Sequence, residues 1–215
     1  MNIFIPFNKK YILKTYDFDS HHASFIQDVV LRNLLKRLIK SNKVNRIDIY
    51  SQEEDIIVGI HSKKLNFIQS ISDESQTSEQ IMKDYLSITK IVEPVVYYNL
   101  MFPFTQIEKL YEAFVDVKLG KFESSIGVIP KGVVWSEDSI AEIDSSKPTP
   151  SQDEINTGLD IGSFCVIKPK NILSGLRRTT LPIKAVPLAS RELVNMRSGD
   201  DKELYQLIVS SGMPL

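Results

Sequence analysis

The segment "ELVNMRSGDD" (192–201) has the spacing of a cation site with the wrong side chains in it. Asn195 and Arg197 alternate after the apolar pair Leu193–Val194, and Asp200 and Asp201 open an amphipathic run. Aspartates at 195 and 197 would offer hard oxygens at a strand end, the donor type that Mg²⁺ takes. Asparagine keeps one neutral oxygen. Arginine is donor-only and permanently charged, so Arg197 cannot ligate a cation, although it could meet a phosphate directly. A solvated turn with no ligand is the competing reading. Lys9, Lys10 and Lys14 form a second group, on a polar loop after the first strand-like run "MNIFIPF". Ligands of open α/β sheets bind at the carboxyl ends of strands, so these lysines are candidates for phosphate contact; simple solvation is the alternative. His21–His22 with Asp17 and Asp19 supplies ligand types that suit zinc or another transition metal. Adjacent residues of an extended segment point apart, however, and no third ligand is fixed, so a loop or helix-cap role competes. Cys165, the single cysteine, excludes an internal disulfide and lies in the apolar run "FCVI", which reads as a buried, inert thiol. The sequence has no Gly-x-Ser-x-Gly elbow, Walker loop, HExxH or CxxC.

The elements that must position these residues alternate along the chain. "MNIFIPF" reads as a strand, and 25–42 has Phe25, Val29, Val30, Leu34, Leu35, Leu38 and Ile39 at helical spacing with a basic end. "RIDIYS" (46–51) is then a strand, which makes a βαβ opening and favours a parallel sheet. Residues 78–89 read as a helix capped by Thr77 or Ser78, 94–100 as a strand, and 105–120 as a helix with a Thr105–Glu108 capping box and Gly120 as its stop. Strands at 124–130, 160–168 and 184–188 and a terminal helix at 200–211 complete the set. Residues 131–157 hold Pro148, Pro150 and many Ser and Asp, and read as a projecting arm. No composition break marks a second domain, so the expectation is one three-layer α/β domain spanning 1–215.

With 42% hydrophobic and 25% charged residues the composition is ordinary for a globular chain. A formal net charge of −1 creates no global field that favours nucleic acid or an anionic membrane. No apolar run approaches the roughly 20 residues that cross a bilayer, and the start lacks a signal-peptide core. A soluble cytoplasmic protein is expected.

The order of segments resembles the acylneuraminate (CMP-sialic acid) cytidylyltransferase family of sugar nucleotidyltransferases, from about residue 2 to 209. "IFIP" resembles the strand before the family's nucleotide loop. "RIDIYSQEEDI" (46–56) resembles "rvvvSTDdeeI", with Ser51 at the serine and Glu53 and Glu54 at the acidic pair. "VVYYNLMFPFTQIEKL" (95–110) lines up without a gap on "vvlLQPTSPLRtaedi", with Pro103 at the second proline. "SSIGVIP" resembles "dSvvsV", "DIGSFCVIK" resembles the "NGaiYi" strand through Gly162, and 195–201 has the length of "DIDtpeD", ending on Asp201. The resemblance implies a Rossmann-like fold of the GT-A nucleotidyltransferase type, with a mostly parallel central sheet. It also implies transfer of CMP from CTP to an acidic, nonulosonate-type sugar, Mg²⁺ as the cofactor if the chain is active, and a homodimer, the arm with Trp135 serving dimer contacts or the sugar pocket; simple core burial is the competing reading of Trp135. Its nucleotide positions fall on Pro6, Asn8, Lys9, Lys10, Lys14, Ser51 and Glu53. Its sugar positions fall on Asn99, Thr105 and Gly162, and its metal positions on Asn195, Arg197 and Asp201.

The departures point the other way. The family loop "PaRgGSKgipxKN" is glycine-rich, so that backbone can approach phosphate closely. Here Pro6 is followed by "FNKKYILKTYDFDSHHAS", and the first glycine of the chain is Gly59. The anion-binding arginine falls on Thr105, the glutamine on Asn99, and the two leading metal aspartates on Asn195 and Arg197. A catalytically degenerate protein that keeps the fold as a nucleotide-binding, scaffolding or partner-binding subunit is therefore the alternative function. An unrelated dinucleotide-binding domain ranks last, because no GxGxxG follows the first strand.

Overall fold

Period-two alternation in "NIFIP" sends Ile3 and Ile5 to one face of a strand and Phe4 to the other, and all three are fully buried. The same rule, repeated across neighbouring strands, builds a sheet covered on both faces. The fold is given by a computed structural model of the chain, in which residues 1–9, 20–71, 77–131, 157–196 and 199–211 are described.

The strands are β1 (Asn2–Pro6), β2 (Arg46–Ser51), β3 (Leu65–Gln69), β4 (Val95–Tyr98), β5 (Ser124–Lys131), β6 (Thr157–Ile167) and β7 (Ile183–Pro187). They form one sheet in the order β3-β2-β1-β4-β6-β5-β7. β1 pairs in parallel with β2 and β4, β2 with β3, and β5 with β7, whereas β6 runs antiparallel to both its neighbours. The sheet is mostly parallel, as expected, with one strand reversed. β3 was not among the expected strands: it is a five-residue run at the sheet edge, in "KKLNFIQS", too short and polar to stand out.

The helices are α1 (Ser20–Phe25), α2 (Arg32–Lys40), α3 (Ser78–Thr89), α4 (Ile107–Lys118), α5 (Pro169–Leu173) and α6 (Gly199–Ser210). A π-helical stretch, Ile26–Leu31, joins α1 to α2, so the expected helix at 25–42 is interrupted and starts earlier. Leu34, Leu35 and Leu38 of α2, Leu110, Phe114 and Val117 of α4 and Tyr205 of α6 pack with Ile3, Ile5, Ile47, Ile49 and Tyr98 on one face of the sheet. Met82, Tyr85 and Leu86 of α3 and Ile172 of α5 pack with Phe4, Tyr50 and Tyr97 on the other. These are the three layers. Tyr85 stacks on Phe4 with ring centroids 3.9 Å apart, and its hydroxyl donates to buried Asp48, which also accepts from Arg46 and Asn66. Burial among these groups, and then the Asp48 charge, push the Tyr85 phenol far above its ordinary range.

Helix ends follow their local chemistry with one correction. Thr77 caps α3 in a reciprocal capping box with Gln80. The expected Thr105–Glu108 box does not form. Gln106 is the cap residue of α4, and the Thr105 hydroxyl donates to the Phe102 carbonyl instead. The acceptor for the Gln106 N–H comes from Glu192, 86 residues away. Of the arm expected at 131–157, Lys131 and Thr157 are paired ends of β5 and β6, and residues 132–156, with Trp135 and the interface expected there, lie outside the described residues. Among the described residues no helix is long and apolar enough to cross a membrane.

Candidate functional site

β1 feeds β2 on one side and has β4 on its other side, so the connections diverge above the β1–β4 pair. That switch point is where open α/β sheets leave a crevice at their carboxyl edge. A cleft of about 850 Å³ lies there. Pro6, Phe7 and Asn8 extend β1 into it, Asn99 to Phe102 follow β4, Thr77 to Glu79 come from the start of α3, and Leu193 and Asn195 close another side.

A bulge shapes the remaining wall. Cys165 pairs with Ile126 and Asp160 with Val128, which leaves Ile161–Phe164 of β6 opposite Gly127 alone. The extra residues bend the strand into the cleft, as β-bulges beside sites do. Gly162 sits at the bend with φ +69°, in the left-handed region that glycine enters without penalty. Its N–H donates to Asp160 Oδ1 at 2.7 Å, and its carbonyl accepts from Asn99 Nδ2 at 2.9 Å. Asn99 Oδ1 in turn accepts from the Met101 N–H at 3.1 Å. Gly127 has no room for a side chain: an added Cβ would lie 2.3 Å from Ser163 Oγ.

Three charged side chains line the cleft among the described residues: Glu79, Asp160 and Arg178. Arg178 Nη2 donates to Asp160 Oδ2 at 3.1 Å, and its Nε stands 3.9 Å from Glu79 Oε1. Burial opposes the Arg178 charge, and the Asp160 and Glu79 carboxylates favour it, with a net upward shift. Directly behind it Cys165 is fully buried, and burial pushes its thiol up to about 12, the chemistry of an inert core cysteine.

The positions singled out in the sequence divide into those in the cleft and those outside it. Pro6, Asn8, Asn99, Gly162 and Asn195 line it together. Lys9, Ser51, Glu53, Thr105 and Asp201 do not. Ser51 is buried at the end of β2, where its hydroxyl accepts from the Glu53 N–H. Thr105 is buried, and its carbonyl and that of Pro103 accept from the Arg37 guanidinium. Asp201 lies in the first turn of α6. Lys10, Lys14 and Arg197, with Asp17 and Asp19, are outside the described residues. His21 is exposed and His22 buried on α1.

The segment before Asn195 is held by a buried acid. In the 3₁₀ turn Ser190–Leu193, Glu192 is fully buried. It accepts from the Gln106 N–H at 3.0 Å, the Ala189 N–H at 2.8 Å and the Lys109 ammonium. Val194 and Met196 then face the core while Leu193 and Asn195 face the cleft, and the Met196 N–H donates to the Met101 carbonyl. Arg178, Asp160, Glu79 and Glu192 were all missed by sequence reasoning. The available signal for Asp160 was its place two residues before a strand glycine; nothing local marks Arg178.

The donor set was tested against a carboxylate-held divalent cation. Asp160 is hydrogen-bonded to Arg178, Glu79 stands 3.9 Å from it, Asn195 offers one neutral oxygen, and no group of three ligating side chains occurs among the described residues. These residues do not fit such a site.

No protein-family model matches the chain, and no curated protein matches it in sequence. Solved structures do. The 4-diphosphocytidyl-2C-methyl-D-erythritol synthase of Anaerococcus prevotii is similar with a TM-score of 0.61 at 12% identity, over 97% of this chain and 96% of that one. The 2-C-methyl-D-erythritol 4-phosphate cytidylyltransferase of Francisella tularensis is similar with a TM-score of 0.63 at 11% identity, over 96% and 99%. At this identity the likeness is one of fold: the chain has the α/β nucleotidyltransferase fold that these cytidylyltransferases have.

Proposed function

We propose that the chain is a cytidylyltransferase-like protein that takes a cytidine nucleotide and a small acidic polyol in the switch-point cleft. The observation that carries this reading is the cleft itself. It stands at the diverging carboxyl ends of β1 and β4, and its volume of about 850 Å³ lies within the usual range for small-molecule sites. The nucleotide's phosphates are assigned to Phe7 and Asn8, the residues after β1 that line the cleft. The second ligand is assigned to the wall built by Asn99, Asp160, Gly162 and Arg178. The solved neighbours are named for a methylerythritol phosphate, and the sequence resemblance suggests a nonulosonate; both are polyols with one acidic group. In transfer, an oxygen of the polyol would attack the α-phosphorus, and the bond to the β-phosphate would break to release pyrophosphate.

A second reading, nucleotide binding without transfer, is favoured by the donor set. Asn195 stands where the resemblance puts a metal aspartate, and one of the two cleft carboxylates, Asp160, is hydrogen-bonded to Arg178. One experiment separates the two. The protein is mixed with CTP, with and without Mg²⁺, and with either N-acetylneuraminate or methylerythritol 4-phosphate; pyrophosphate release and thermal stability are followed. Release above the protein-free blank establishes transfer. Stabilisation by CTP without release establishes binding alone; at 100 times Kd it amounts to about 2.7 kcal/mol. Neither response refutes both readings.

A further inference from the structure

Arg178 has two carboxylate neighbours, and they are not equivalent. Asp160 is fixed: one oxygen accepts from the Gly162 N–H at 2.7 Å and the other from Arg178 Nη2 at 3.1 Å. Its position is set by the β6 bulge, so it holds the guanidinium in place. Glu79 is different. Its Oε1 is 3.9 Å from Arg178 Nε, beyond hydrogen-bond reach, and its side chain is 39% exposed. An ion pair of that length and exposure contributes little. A guanidinium has five N–H donors in a rigid fork, and Asp160 takes one of them, at Nη2. The edge toward Glu79 faces a cleft in which no other described cation stands.

We propose that Arg178 is the specificity-determining anchor for the acidic group of the second ligand, with Asp160 as its tether and Glu79 as a displaceable stand-in for the ligand. The ligand class is a small molecule carrying a carboxylate or a phosphate monoester. Its acid takes the Nε–H that Glu79 only approaches, in a charge-assisted hydrogen bond, and Glu79 turns out to solvent. The resemblance places an anion-binding arginine at position 105, where this chain has a buried threonine; Arg178 brings the missing charge to the cleft from the segment after α5. The same three residues, Glu79, Asp160 and Arg178, also line a neighbouring groove of about 620 Å³ with Lys83 and Arg177. They form the partition between the two spaces, so a ligand acid at Arg178 stands at the end of the cleft.

This inference rests on the cleft being the ligand site, and its test is arranged to fail separately from the nucleotide reading. Binding of N-acetylneuraminate, methylerythritol 4-phosphate and uncharged methylerythritol is measured by calorimetry with and without CTP, on the natural chain and on Arg178→Met, Arg178→Lys and Glu79→Gln. Arg178→Met is expected to weaken binding of the acid at least tenfold while leaving CTP binding within twofold. Arg178→Lys should fall between, because it keeps the charge and loses the fork. Glu79→Gln should tighten acid binding several-fold, since it removes a competitor. The uncharged polyol should respond to none of them. Which acid responds distinguishes carboxylate from phosphate. Acid binding unchanged in Arg178→Met, or unchanged or weakened in Glu79→Gln, overturns the proposal, as does binding of neither acid. Absence of CTP binding, with the acid pattern intact, overturns the nucleotide reading alone. Circular dichroism and melting of each variant show that the fold persists; if Arg178→Met unfolds, Glu79→Gln decides.

Discussion

Glu192→Ala is expected to destabilise the chain by about 3 kcal/mol, and the reason lies in what the carboxylate accepts. Glu192 is fully buried and receives three donors: the backbone N–H of Gln106 at the start of α4, the backbone N–H of Ala189, and the Lys109 ammonium. Alanine leaves both N–H groups without an acceptor, and because both bonds are only partly buried each loss lies at the low end of about 1–3 kcal/mol. The ammonium suffers less, because its side chain is 24% exposed and it keeps the Pro187 carbonyl at 2.8 Å. The sum therefore lies at the low end of the 3–5 kcal/mol range for breaking a buried pair, or about 3 kcal/mol. With a urea slope of about 3 kcal/mol/M, the unfolding midpoint drops by about 1 M. Lys109→Met is the companion variant. It removes the charge pair and leaves the carboxylate with its two backbone donors, so its loss should be smaller than that of Glu192→Ala. A midpoint shift below about 0.3 M for Glu192→Ala would refute the reasoning. Equal losses in the two variants would show that the ion pair, not the backbone satisfaction, holds the joint.

Gly127→Ala is expected to cost about 1–3 kcal/mol by overpacking, because the new Cβ would fall 2.3 Å from Ser163 Oγ; Gly162→Ala should cost about 1 kcal/mol by backbone strain at φ +69° with no clash, and urea midpoints rank the two. Tyr85→Phe removes a donor from buried Asp48 and should cost about 1.5–3 kcal/mol, measured by the same titration. Stability should also fall in acid. The hydrogen bond from Lys168, then that from Asn171, holds the Glu123 carboxyl below its ordinary range. Below the ordinary glutamate value of about 4.3 the unfolded chain binds the proton that the folded chain refuses, so this stabilisation is present above that pH and is lost as the pH falls through the folded value. Glu123→Gln should flatten the acid limb of a melting-temperature profile; an unchanged limb would reject the assignment.

Most strands and helices were legible because each carries its own period. "RIDIYS" alternates, and its bounds agree with β2; "SEQIMKDYLSIT" has helical spacing and a capping box, and agrees with α3. What escaped is what depends on distant partners. Thr105 and Glu108 have the spacing of a capping box, yet Thr105 turns to Phe102 because Glu192 already serves the α4 terminus from the far side of the sequence. A residue's nearest sequence neighbours cannot disclose a competitor 86 positions away.

The site shows the same division. A linear comparison reached Asn99, which follows β4, Gly162, within β6, and Asn195, which follows the 3₁₀ turn Ser190–Leu193, and all three share the cleft. It also selected Thr105 and Asp201, which the fold puts elsewhere. Matching position to position assumes that a lost charge leaves only a gap. In a cleft the requirement is different: a cation must reach a given point in space, and any element bordering that point can supply it. Thr105 is uncharged and buried, while Arg178, 73 residues later in sequence, lines the cleft and donates to Asp160, next to the bulge at Ile161–Phe164. The irregularity in β6 thus lies beside the one cationic side chain that lines the cleft among the described residues. It has no signature in hydrophobic periodicity, since extra residues in a strand leave the flanking alternation intact on either side.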